Sequence, residues 1–144
     1  MPSYTSSVPD LAVSGPFLQI AVGPSRELIT AFTPLGFRIS LPQRVTALID
    51  TGAFATVLSP EVVASLKIQP VGAAPINTPS TTAPLQCDRY HINVYFDDGF
   101  VVENVYAVEA PMGGAQYQCL LGRDILRLAT LLYEGRLNQF RLTF

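Results

Sequence analysis

Val45-Thr46-Ala47-Leu48-Ile49-Asp50-Thr51-Gly52 is the stretch whose reading decides the fold. Five apolar or β-branched residues run straight into a carboxylate and a glycine. The run reads as a buried strand that delivers Asp50 into a tight turn. A carboxylate carried out of water costs free energy unless it is hydrogen-bonded, paired or protonated. An ordinary core strand has no reason to end this way, so Asp50 calls for a chemical explanation. A second apolar stretch, Gln118 to Leu121, ends in Gly122 far downstream. The pairing of these two segments organises everything between them.

A chain of 144 residues holds one domain with a real core. Apolar residues make up 49% and charged ones 14%, which leaves enough greasy surface for burial between subunits as well as within one. Twelve prolines and ten glycines, with Val and Ile spread throughout, favour short strands and turns over long helices. Nine basic residues stand against eleven acidic ones; Lys67 is the only lysine and the arginines form no run. That balance argues against nucleic-acid binding by counterion release. No basic residue precedes Arg26, and no apolar run approaches the length of a membrane span. The expectation is a cytoplasmic protein without membrane contact. Cys87 and Cys119 are too few for a disulfide scaffold and are expected as free thiols.

Along the chain, residues 1–15 are rich in Ser, Pro and Thr and read as a flexible lead-in, with one domain over 16–144. Phe17 to Val22 reads as a strand. Ser25 caps a helix of about two turns to Phe32, which Pro34 and Gly36 stop. Phe37 to Leu41 and Val45 to Ile49 read as strands around a Pro42-Gln43 turn. Thr56 to Leu58 is a brief strand. Ser59-Pro60-Glu61 then combines an N-cap, an N1 proline and an early acid, so a helix should run to about Leu66. Val71 to Leu85, with Pro75, Pro79 and Pro84, reads as an irregular or hairpin excursion. Asp97-Asp98-Gly99 between Tyr90–Phe96 and Phe100–Val108 is a hairpin signal. Gln118 to Leu121 is a short buried strand, Arg123 to Leu131 is helical, and Gln139 to Phe144 alternates as a last strand. The architecture is all-β with one or two short helices.

Ile49-Asp50-Thr51-Gly52-Ala53 followed by Thr56-Val57-Leu58 resembles the active-site segment of retropepsins, the retroviral-type aspartic proteases. Leu120-Leu121-Gly122-Arg123 is similar to their second signature, in which two apolar residues and a glycine precede an arginine that opens a helix. The resemblance spans roughly residues 17–144. It implies a retropepsin-like acid protease fold whose active site forms at a homodimer interface, with Asp50 catalytic in both subunits and no metal or organic cofactor. It implies supporting roles for Thr51, Gly52, Leu120, Leu121, Gly122 and Arg123, with the Thr51 hydroxyl bonding across the dimer. An extended peptide would contact Gly52, Ala53 and Phe54. The chemistry agrees: carboxylate-driven peptide hydrolysis needs two acids sharing a proton, since like charges at ~3 Å cannot both ionise. The chain supplies one Asp-Thr-Gly; Asp124, inside the helix that Arg123 opens, is expected to form a salt bridge or face solvent, and a C₂ dimer brings two Asp50 carboxylates together on its axis. In that dimer Gln139 to Phe144 is expected in an intersubunit sheet.

Two departures from the family stand out. Phe54 and Ala55 occupy positions where many retroviral enzymes carry acids that grip substrate backbone and pair with the helix arginine. The flap expected at Asn77 to Ala83 has no glycine. Those features favour an alternative, a dimeric peptide-binding module of the same fold with weak or no catalysis. Read without the family, Asp50 to Gly52 is an Asp turn closing a strand, and Leu120-Leu121 is plain core. His91 is the sole histidine, and no nucleophile-elbow sequence accompanies it. Cys87 and His91 have a Cys-x₃-His spacing, but only Cys119 remains to complete a zinc set.

Overall fold

The computed structural model describes residues 1–77 and 82–144. In chain order the elements are β1 (Ser3–Ser7), α1 (Leu11–Ser14), β2 (Phe17–Pro24), α2 (Arg26–Phe32), β3 (Gln43–Ile49), β4 (Val57–Leu58) and α3 (Pro60–Leu66). They continue with β5 (Gly72–Ile76), β6 (Leu85–Tyr95), β7 (Val101–Glu109), β8 (Cys119–Leu121), α4 (Arg123–Leu126), β9 (Thr130–Glu134) and β10 (Gln139–Thr143). Short helices decorate a β framework. No helix among the described residues is long and apolar enough to cross a membrane.

Seven strands form one sheet in the order β2-β3-β8-β4-β7-β6-β5, and an added β2–β6 pairing closes its first six members into a ring. The filling of that ring follows from period-2 patterning. In β3, Val45, Ala47 and Ile49 are buried while Arg44 stays out. Ile20 and Val22 of β2, Ile92 and Val94 of β6, Ala107 of β7 and Leu121 of β8 meet them in one core. The Asp97-Asp98-Gly99 turn joins β6 to β7 with Gly99 at φ +87°, a backbone conformation that favours glycine. Ser25 caps α2 and Ser59 caps α3 through hydrogen bonds to Leu28 N–H and Val62 N–H.

A second, three-stranded sheet has the order β1-β10-β9. Here the structure departs from the expected flexible lead-in. Ser3 to Ser7 pair antiparallel with Gln139 to Thr143. Tyr4 stacks on Phe96 with ring centroids 4.5 Å apart, and its hydroxyl donates to Asp98 at 2.6 Å. Leu11 is fully buried, and its N–H donates to Asn138 Oδ1. Burying one leucine contributes about 1.5–3 kcal/mol, enough to pin a short segment.

Two further expectations change. Phe37 to Leu41 is not a strand, because β2 and β3 pair directly with each other and leave this segment no partner. The helix expected over Arg123 to Leu131 ends at Leu126, and Thr130 to Glu134 extend to pair with β10. Of the irregular or hairpin forms expected for Val71 to Leu85, the pairing of β5 with the first half of β6 bears out the hairpin. Of the expected flap, Asn77 to Ala83, residues 78–81 lie outside the described residues.

Tyr90 is buried and donates to Glu109 Oε2, and burial together with that bond pushes its pKa up to about 12. A phenol whose folded pKa exceeds its unfolded value adds stability that is full below about pH 10 and lost as pH rises towards the folded pKa. Urea denaturation should therefore show stability declining between about pH 10 and 12, and Tyr90→Phe should flatten that decline. For the N-terminal segment, Leu11→Ala should cost about 2–5 kcal/mol in the same assay. A change within error would mean that residues 1–15 are a free tail after all.

Candidate active site

Strand β3 carries the chain to Asp50, and the turn after it returns as β4. Between these two strands lies β8, parallel to β3 (Leu48↔Leu120) and antiparallel to β4 (Val57↔Leu120). The Asp50 loop thus bridges over the end of a strand that comes from much later in sequence. Asp50 N–H donates to Leu121 O at 3.0 Å, which fixes where the carboxylate begins. Its Oδ1 accepts from Gly52 N–H at 2.8 Å, and a Cβ at residue 52 would stand 3.1 Å from that oxygen. Glycine therefore lets the loop fold its own amide onto the acid. Asp50 is half-buried, while Thr51 and Gly52 are exposed.

The loop is held from below by the signature around Gly122. A Cβ there would lie 2.4 Å from the carbonyl carbon and oxygen of Ala55, so only glycine permits the crossing. Arg123 N–H donates to Ala53 O at 2.8 Å, and its guanidinium donates to Thr51 O at 3.0 Å. The arginine clasps the loop by its carbonyls and needs no acid at residues 54 or 55. Leu120 and Leu121 do what the sequence assigns them as core: Leu121 is fully buried and Leu120 half-buried beneath the loop.

Sequence reasoning missed Thr56 and misjudged Asp124. Thr56 is fully buried, with its N–H donating to Asp124 Oδ2 and its hydroxyl to Oδ1, both at 2.9 Å. Asp124 Oδ1 also accepts Ile125 N–H at 2.9 Å. This aspartate was expected to form an ion pair or face solvent; instead it ties α4 to the far end of the Asp50 loop. The available signal was a threonine in the first motif and an acid two residues past Gly122 in the second. Thr51 makes no side-chain hydrogen bond among the described residues, and its outward position is open to a partner. Phe54 is 53% exposed. It lines, with Ala55, Arg123 and β7, a cavity of about 460 Å³ on the outer flank of the loop, and Asp50 does not reach that cavity.

If Asp124 is a loop tie, Asp124→Ala should leave the buried Thr56 N–H and hydroxyl unsatisfied and cost about 1–3 kcal/mol in chemical denaturation. Asp124→Asn, which keeps an acceptor, should cost less. Equal losses for the two variants would count against the tie.

Among curated proteins no match was found. Among solved structures, the chain is similar to a retropepsin-like aspartic protease from Rickettsia conorii. The TM-score is 0.52 at 13% identity, covering 89% of this chain and 92% of that one, a likeness of fold. The profile of a family described as aspartyl protease matches residues 38–125, from before β3 through the Gly122-Arg123 crossing. Its span takes in both ends of the clasp around Asp50, and the chain belongs to this aspartyl protease family with a retropepsin-like fold.

Proposed function

We propose that this chain is an aspartic endopeptidase that works as a homodimer, with Asp50 from each subunit sharing a proton across a twofold axis. The observation that carries the reading is the way Asp50 is held while the other candidate acid, Asp124, is engaged elsewhere. Asp124 commits its oxygens to Thr56 and Ile125 and is not free to be the second acid, which supports a dyad built from two chains. With two Asp50 carboxylates adjacent, one takes a proton from a water as it attacks the peptide carbonyl. The other, protonated, donates to the carbonyl oxygen. The rigid clasp by Arg123 and Gly122 supports this chemistry, because positioning without reorganisation lowers the barrier. The β5–β6 hairpin would close over an extended substrate, and Phe54 would offer it apolar contact.

The free strand edges support one mode of dimerisation. Gln139 to Phe144 were expected in an intersubunit sheet, yet β10 is paired on both sides within its own chain. The open edges of that sheet are β1 and β9. Strand β9 starts just after α4, whose Arg123 holds the Asp50 loop, and it exposes Leu132 and Tyr133. An antiparallel β9–β9 contact about the axis would join two small sheets and bring both Asp50 loops near it.

The exposed Phe54 in place of an acid favours a second reading, a dimeric peptide-binding module. Assay of the purified protein on a peptide library separates the two. Asp50→Asn should abolish cleavage, by at least about a thousandfold, while sedimentation still shows the dimer. Leu132→Arg should shift the sedimentation pattern to monomer and remove activity with it. Cleavage retained by pure Asp50→Asn would sink the aspartic mechanism, and no cleavage by the wild type would leave the binding module standing.

A further inference from the structure

Residues 25–42 are not needed by the sheet they interrupt. Strands β2 and β3 pair directly, with Val22 opposite Gln43, and a short turn would join them. The chain instead makes an excursion through α2 and a 3₁₀ turn, Thr33–Leu35, neither of which holds a buried residue. It exposes Phe32, Leu35, Phe37 and Leu41. Phe32 and Phe37 meet edge to face at 5.7 Å, so the excursion has its own fixed shape. Such apolar exposure is unfavourable unless something covers it.

A concave groove of about 400 Å³ runs between this excursion and the C-terminal end of α3. Leu28, Phe32 and Phe37 wall one side; Leu66 and Ile68 wall the other. Two cations, Arg38 and Lys67, line it, and no Asp or Glu does. Neither cation has an ion-pair partner among the described residues, although the chain as a whole carries a net charge of −2. The volume lies within the range of small-molecule pockets, roughly 300–1,000 Å³. It is small beside a bound helix, whose diameter with side chains is about 10–12 Å.

We propose that this groove binds a small amphipathic carboxylate, an apolar chain laid along Leu28, Phe37 and Ile68 with its anionic end between Arg38 and Lys67. The complementarity is in both chemistry and charge: apolar walls exclude an all-polar anion, and the two cations select against neutral or cationic amphiphiles. Pro70 and Val71, which also line the groove, lead directly into β5. The site is thus a neighbour of the flap hairpin and separate from Asp50.

Calorimetric titration of the intact protein with dodecanoate, below its micelle concentration, is the test. Saturable one-site binding is expected. Dodecyltrimethylammonium should bind at least about tenfold more weakly. The double variant Arg38→Glu/Lys67→Glu should lose about tenfold in dodecanoate affinity, the effect of turning two exposed attractions into repulsions. Phe37→Asp should weaken dodecanoate as well; all three side chains are exposed, so these variants should keep the wild-type circular dichroism. Equal binding of the two amphiphiles, an unchanged affinity in the charge-reversed variant, or no saturable binding would overturn the proposal. So would binding only to anionic phospholipid vesicles through the same residues, which would make the surface a membrane contact.

Discussion

Everything at the candidate active site depends on one close crossing, the passage of Gly122 over the carbonyl of Ala55. Without it β8 could not lie between β3 and β4. The amide of Arg123 would not meet Ala53 O, and Asp124 would not reach Thr56. The crossing converts two segments distant in sequence into one rigid bracket, with Asp50 at its open end. Its tolerance is set by backbone atoms, which cannot rotate away as a side chain can. That is why a hydrogen atom at residue 122 decides the geometry of a carboxylate in another loop.

The bracket also explains how the chain dispenses with the acids that many relatives of this fold place after Ala53. An arginine can hold a loop through carboxylates or through carbonyls, since its planar fork donates to either. Arg123 uses the carbonyl of Thr51, and residue 54 is thereby released to be an exposed phenylalanine.

How much of this could be read from the sequence depended on where each signal resides. The helices from Arg26 and Pro60 were recoverable because a cap is a local bond, Ser25 to Leu28 and Ser59 to Val62. The Asp50 and Gly122 motifs were recoverable because close approach and turn geometry restrict residue type at fixed positions. Strand β1 was not: Ser3 to Ser7 is polar, and what makes it a strand is the far end of the chain. Thr130 and Leu131 read as the end of a continuing helix because a short apolar run fits either period until its partner is known. Phe37 to Leu41 alternates like a strand, yet alternation without a neighbour makes no sheet. The Thr56–Asp124 tie escaped because each residue alone is unremarkable and only the crossing brings them together.

The placement of β10 bears on the order in which the parts fold. Strand β10 lies at the centre of the small sheet, and Ser3 bonds Thr143 across a sequence separation of 140 residues. Within this sheet β1 and β9 each pair with β10 alone, so neither has a partner until residues 139–143 join them. Pairing over such distances is slow, because loop closure must precede any gain from contact. Closure of this sheet therefore follows the local hairpins of the ring around β3, and it ties together segments from opposite ends of the sequence.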